Sequence, residues 1–282
     1  MRILALADVL GHADLLTRLA REPTIRNVDA ILCVGNLLSG GPRVDEWQRA
    51  RAEGRSPRRR LAEIEQQERS DVHALQAIVA AFAAFEAPVM FVPGSLDAPE
   101  RLILGAAANF ENTTPNLACI HRSLALIPYG PRSYAIAGFG GRVTACRRET
   151  ELVLEYPSWE AKAYLSSLRN LDQQRILLVH TPPRLGKPGD QVGDSVGSEV
   201  IEEMIHTLNP QLVVCGNPGG ARAVLDIEKS FVVSPGSLCQ GSYAVVDLEK
   251  WEVRFDDLPG VTPDQDSLDR VLRQKVERTL AA

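Results

Sequence analysis

Six polar residues, Asp8, Asn36, Ser95, Asp97, His180 and Asn217, stand one to five positions beyond apolar runs of strand length. They occupy five short turns: Asp8-Val9-Leu10-Gly11, Gly35-Asn36, Gly94-Ser95-Leu96-Asp97, His180-Thr181-Pro182-Pro183 and Gly216-Asn217-Pro218-Gly219. In open α/β sheets, ligands gather outside the carboxyl ends of the strands. The spacing therefore predicts that all six residues share one rim, although they are far apart along the chain. Carboxylate, imidazole, hydroxyl and amide groups on one rim can hold an ion or contact a ligand. For any single turn, a short polar residue that merely ends a strand is the plainer reading. Five such turns in series argue against that reading for the set.

The elements that must position these turns are visible as apolar runs at Arg2 to Ala7, Ala30 to Val34, Val89 to Val92, Tyr134 to Ala137, Ile176 to Val179, Leu212 to Cys215, Phe231 to Val233 and Tyr243 to Asp247. Several are continuous Ile, Leu and Val, as in strands covered on both faces. Helical patterns at His12 to Arg21, Pro99 to Ala108, Ser158 to Asn170 and Gly197 to Leu208 alternate with them. This order predicts an α/β sheet architecture. The longest helical stretch is Pro57 to Glu86, where an apolar stripe runs from Leu61 to Phe85 and Ser56-Pro57 suits a helix start. The tail from Pro259 is polar, and helical from about Ser267.

The chain has 282 residues, 45% hydrophobic and 24% charged, with a net charge of -5. That is the balance of a globular domain with an ample core, and gives no general reason to expect nucleic acid. No apolar run approaches the roughly 18 residues of a membrane span, and the N-terminal run is too short for a signal peptide. The five cysteines, Cys33, Cys119, Cys146, Cys215 and Cys239, are widely spaced and form no CxxC. A reduced, cytoplasmic protein without disulfides is expected.

The order and spacing of the five turns resemble the calcineurin-like metallophosphoesterase superfamily, whose turns run Asp-x-His, Gly-Asp, Gly-Asn-His-Asp, a lone His, and Gly-His-x-His. Val233-Ser234-Pro235-Gly236-Ser237-Leu238 with Gly241 to Asp247 also resembles the closing segment of the smaller members. The resemblance covers about residues 1 to 255. It implies a four-layer αββα sandwich over residues 1–258, with an Arg-rich helical insertion at about 39–71 and a tail at 259–282. It also implies a two-metal phosphoesterase site. Matched position by position, Asp8, Asp97 and His180 are kept. Leu10 and Leu96 stand where histidines would be, Asn36 at the bridging aspartate, Ser95 at an asparagine, and Asn217 and Gly219 at the last two histidines.

On that footing the metal donors are Asp8, Asn36, Ser95, His180 and Asn217, and the catalytic candidates are Asp97 and His180. Neutral oxygens suit hard cations such as Mn or Mg more than zinc, so at most one weakly held divalent ion is expected. The preferred expectation is a non-catalytic or weakly active member that binds a phosphorylated ligand or a protein partner. The alternative is a phosphodiesterase or phosphatase with one Mn-like ion at Asp8, Asn36 and His180. His12 reads as a surface residue of the first helical turn, and His73, His121 and His206 as ordinary residues away from the rim. Gly138-Phe139-Gly140-Gly141-Arg142 reads as a strand-following turn, without the Lys-Ser/Thr of a P-loop. No Gly-x-Ser-x-Gly elbow is present. In the insertion, Arg43, Arg49, Arg51, Arg55, Arg58, Arg59 and Arg60 outnumber Asp45, Glu46 and Glu53. A helical protrusion that attracts an anionic partner is expected there, with the stripe through Leu61 and Ile64 packing on the domain or on a second copy in a homo-oligomer.

Overall fold

The computed structural model describes residues 1–184, 197–216 and 220–261. Asn217, Gly219, and the helix expected from Ser267 lie outside the described residues.

Two six-stranded mixed sheets pack face to face. The first takes the order β14-β13-β1-β2-β3-β4, built from Glu252–Asp257, Ser242–Asp247, Arg2–Leu6, Ala30–Cys33, Val89–Phe91 and Leu117–Cys119. The second takes the order β11-β12-β10-β9-β6-β5, built from Arg222–Ile227, Ser230–Pro235, Leu212–Cys215, Gln174–Val179, Arg132–Phe139 and Ser123–Tyr129. In each sheet a run of four parallel strands is flanked by antiparallel strands. Between the sheets lies a core of Ile3, Ala5, Leu32, Val34, Val92, Ile136, Leu178 and Val214 with their neighbours. The other face of each parallel strand packs on helices, which is why the sequence there is apolar without alternation.

Helices α1 (Ala13–Leu19), α3 (Ala62–Phe82) and α4 (Glu100–Thr113) form one outer layer, and α5 (Ser158–Leu165) and α6 (Glu199–Leu208) the other. A two-stranded sheet of β7 (Arg142–Thr144) and β8 (Glu155–Pro157) lies beside the second sheet. The αββα sandwich expected from the sequence is present.

Two expectations are corrected. The long helix starts at Ala62 and not at Pro57, because Leu61 is extended and the segment before it is held by other bonds. The insertion is also no protrusion. Its first helix, α2 (Gly41–Ala52), packs against α3 with Arg43, Val44, Glu46 and Ala50 buried.

Candidate functional site

The strand-end turns interlock through their backbones before any side chain acts. Beyond β1 and β2 the pairing continues: Asp8 N–H donates to Gly35 O at 3.0 Å, Leu10 N–H to Asn36 O at 2.9 Å, and Gly11 N–H to Leu37 O at 2.7 Å. Asp8, Leu10 and Asn36 all have φ near +50°. Asp and Asn tolerate that left-handed region, whereas a leucine there costs about 1–2 kcal/mol. Gly35 and Gly94 touch with no room for a side chain. A Cβ on Gly35 would sit 2.1 Å from Gly94 N, and one on Gly94 would sit 2.1 Å from Asn36 N.

Onto this frame the polar side chains are tied one by one. Asn36 Nδ2 donates to Asp8 Oδ1 at 2.8 Å, and Asn36 Oδ1 accepts from Leu96 N–H at 3.0 Å. Because Asp8 is acceptor-only when ionised, the amide must turn its NH2 toward it. Asp97 is fully buried; its Oδ1 accepts from Leu38 N–H at 2.7 Å and its Oδ2 from Gly94 N–H at 2.6 Å. Burial pushes its carboxyl up to about 7, against these backbone donors and despite their pull downward. Ser95 is buried, and its carbonyl accepts from Leu154 N–H at 2.9 Å.

His180, half-buried, reaches across from the second sheet, with Nδ1 2.6 Å from Val34 O. A carbonyl only accepts, so Nδ1 carries the proton and Nε2 is the basic nitrogen. That is the backbone-oriented tautomer common among metal-binding histidines. Asp8, Asn36, Ser95, Asp97 and His180 thus converge on the Val34-Gly35-Asn36 turn and the turn beside it. Asn217 falls outside the described residues, although the preceding Gly216 donates its N–H to His180 O at 3.2 Å.

Against this frame packs a small buried apolar cluster. Leu10 and Leu96 cluster with Val153, Cys239 and Val44, and Trp47 packs against them. Val44 and Trp47 belong to α2, so the insertion lies on the mouth of the rim. Gly40, where α2 begins, is pressed close to Val44 and Leu96. Two carboxylates fasten the insertion. Asp71 of α3 pairs with the fully buried Arg43 at 2.5 Å, and Gln67 donates to its other oxygen. Glu46 takes a two-pronged bond from Arg55 and the N–H of Arg58 at 2.7 Å. The Arg55 guanidinium holds the Glu46 carboxyl down at about 2, against burial and with the Arg58 N–H assisting.

Four of the seven arginines in that run meet carboxylates, Arg49 lying 3.9 Å from Glu46, and Arg49, Arg58, Arg59 and Arg60 are exposed. Arg43 goes to Asp71, Arg55 to Glu46 and Glu53, and Arg59 to Glu149. Sequence reasoning missed α2 as part of the site. The signal was available in Val44 and Trp47, three residues apart amid polar neighbours, which mark one apolar face of a helix.

Two of the remaining histidines also stand near strand ends, His12 directly after Gly11 and His121 two residues past β4, where it accepts from Gly140 N–H at 2.9 Å. His12 begins α1, part-exposed and 3.9 Å from Asp14, while His73 and His206 are exposed on helices. His121 is buried against Phe139 and Tyr156, and that burial, with Arg148 nearby, lowers its pKa to about 3. Among the described residues no cluster of three His, Cys, Asp or Glu is arranged to hold a metal ion, and no helix is long and apolar enough to cross a membrane.

Comparison with protein families finds a match to "Metallophosphoesterase, calcineurin superfamily" over residues 1–258. No curated protein matches the chain. One crystal structure superposes with a TM-score of 0.79 at 25% identity, covering 91% of this chain and 98% of that one. The crystal structure of TT1561 of Thermus thermophilus does so with a TM-score of 0.70, also at 25% identity and with coverage of 91% and 98%. A dimetal phosphatase from Danio rerio shares the fold, with a TM-score of 0.53, 12% identity, and coverage of 91% and 95%.

Proposed function

Because the chain belongs to the calcineurin-like metallophosphoesterase superfamily, the family match running through residues 1–258, we propose that it is a binding member of that superfamily. It would hold a protein partner or a phosphorylated ligand instead of turning phosphoesters over efficiently. The observation that carries this reading is the apolar mouth, where Leu10 and Leu96 pack under Val44 and Trp47 of α2.

A two-metal hydrolase clamps its phosphate between ions and draws hydroxide from bound water. Such a site needs inward carboxylates and neutral imidazoles to offset the charge. The residues at the matched positions support the binding reading instead. Asn36 at the bridging position is neutral and turns N–H toward Asp8, and two leucines bring methyl groups to positions where the family has imidazoles.

A second reading is favoured by His180. Its Nδ1 proton is fixed on Val34 O, which would present Nε2 to one Mn-like or Mg-like ion shared with Asp8 and Asn36, with Ser95 and Asn217 as weaker oxygen donors. Such an ion supplies polarisation of a phosphoryl oxygen. Both oxygens of Asp97 accept backbone N–H groups, so its part under either reading is to hold the turns.

The two readings separate in one pair of measurements. Untagged protein is analysed for metal by mass spectrometry and assayed on bis(p-nitrophenyl) phosphate with added Mn²⁺. The binding reading expects well under two ions per chain and hydrolysis close to background. Turnover well above background that Asp8→Ala abolishes would overturn it, with one ion per chain favouring the second reading and two a full dimetal site.

A further inference from the structure

The four sheet edges are guarded very unequally. An exposed strand edge is a template for pairing, and proteins blunt it with charge, shortness or cover. β14 carries Glu252, Arg254, Asp256 and Asp257, and β11 carries Arg222 and Asp226. β4 has three residues, and Glu111 of α4 takes the N–H of Cys119 at 3.1 Å. Among the described residues β5 has none of these protections. Its seven residues, Ser123-Leu124-Ala125-Leu126-Ile127-Pro128-Tyr129, include no charge.

On its inner side β5 pairs with β6 from Ser123↔Gly138 to Tyr129↔Arg132, and no described strand pairs its outer side. Ala125, Ile127 and Tyr129 pack onto the inter-sheet core and Leu124 onto the helix side. Leu126, at the middle of the strand, remains 54% exposed. Pro128 removes one N–H near the end and leaves the centre open.

We propose that β5 is a self-association edge, on which a second copy of this chain lays its own β5 antiparallel about a two-fold axis at Leu126. Ser123 then faces the partner's Tyr129, Leu124 its Pro128, Ala125 its Ile127, and Leu126 its Leu126. No like charges oppose one another anywhere in this register, the usual penalty when a strand meets its own copy. A two-fold contact uses the same patch on both subunits, and this strand complements itself, with small Ala125 opposite larger Ile127 and apolar groups from Leu124 to Pro128. The pairing makes one sheet continuous through both copies. A single strand pair falls short of the roughly 1,200 Å² of a stable interface, so the dimer is reversible, with a Kd on the order of 10 μM.

Sedimentation velocity of the full chain from low to high micromolar concentration tests this. The mass is expected to rise from 30.8 kDa toward twice that value. Leu126→Arg is expected to remain monomeric throughout, with an unchanged circular dichroism spectrum and melting temperature. A positional arm covers the case in which Leu126→Arg misfolds. Residues directly opposite in an antiparallel pair have Cα atoms about 4.5–5.5 Å apart, within disulfide range. Leu126→Cys in a Cys146→Ser background should therefore oxidise to a reducible dimer, whereas Leu225→Cys on β11 in the same background should not. A wild type that is monomeric at every concentration overturns the proposal. So does Leu126→Arg dimerising like wild type, or Leu126→Cys failing to cross-link.

Discussion

The turn frame and the mouth above it are a few residues apart, yet different physics holds them. In the frame, Asp8, Asn36, Asp97 and His180 each engage a fixed protein partner, and Gly35 and Gly94 let two backbones touch. In the mouth, the side chains of Leu10, Leu96, Val44 and Val153 meet through apolar contact, although the backbone N–H groups of Leu10 and Leu96 belong to the frame. The frame keeps its shape through hydrogen bonds within the protein. The Nδ2 of Asn36, 2.8 Å from Asp8 Oδ1, turns a positive hydrogen toward that carboxylate, the kind of partner a cation would otherwise be. Turn geometry and ligand chemistry are thus separable, and fold alone does not carry function.

The largest effect should come from the frame. Gly94→Ala would place its Cβ 2.1 Å from Asn36 N and 2.2 Å from Asn36 Oδ1. Backbone cannot yield as a flexible side chain can, so a loss of about 3 kcal/mol or more is expected by urea denaturation. A Gly94→Ala protein as stable as wild type would mean that the frame is no more rigid than the mouth, and the comparison would lapse.

A smaller effect tests how the frame does without ions. Asn36→Asp replaces the N–H that faces Asp8 with a second carboxylate oxygen. Two carboxylates at that distance cannot both ionise comfortably, and the donor to Asp8 is lost. About 2–3 kcal/mol of destabilisation is expected at neutral pH. Under the binding reading, Mn²⁺ should restore part of that loss in Asn36→Asp while leaving wild type unmoved, since a ligand stabilises only the state that binds it. Melting curves with and without Mn²⁺ decide the matter. A rise in the wild-type melting temperature as large as that of the variant would favour the one-ion reading instead.

Much of the frame could be read from the residues, and little of the mouth. The parallel strands declare themselves through continuous Ile, Leu and Val, and the strand-end rule brings Asp8, Asn36, Ser95, Asp97 and His180 together. The outer strands did not show. β5 carries a proline and no polar alternation, and β11 and β14 are charged because they are edges. The lining of the mouth depends on contacts that no local pattern encodes. Arg43 and Glu46 look like a solvated charge run, but each is buried because a partner arrives from elsewhere, Asp71 in α3 and Arg55 beyond the helix. The role of Asp97 was equally hidden, since nothing local indicates that the Leu38 and Gly94 N–H groups meet at its two oxygens.

The smallest effect expected belongs to the fastening of the mouth, and pH makes it measurable. Glu46 is 2% exposed and binds Arg55 twice and the Arg58 N–H once. Glu46→Gln keeps one acceptor oxygen but drops the charge, at a cost of about 1–2 kcal/mol. The wild-type carboxyl sits at about 2 in the folded protein against 4.5 ordinarily. A lowered pKa means that the unfolded chain binds the proton more readily, so stability from this group is complete above about pH 4.5 and drains away as pH falls toward 2. The difference between wild type and Glu46→Gln should therefore be constant near neutrality and close across that acid window, while groups common to both proteins cancel. Hydrogen exchange should speed up across α2 in the variant and leave the amides of Leu10 and Gly11, which are bonded to the Asn36 and Leu37 carbonyls, unchanged. Should those amides accelerate equally, the mouth and the frame would open as one unit, and the distinction drawn between them would not hold.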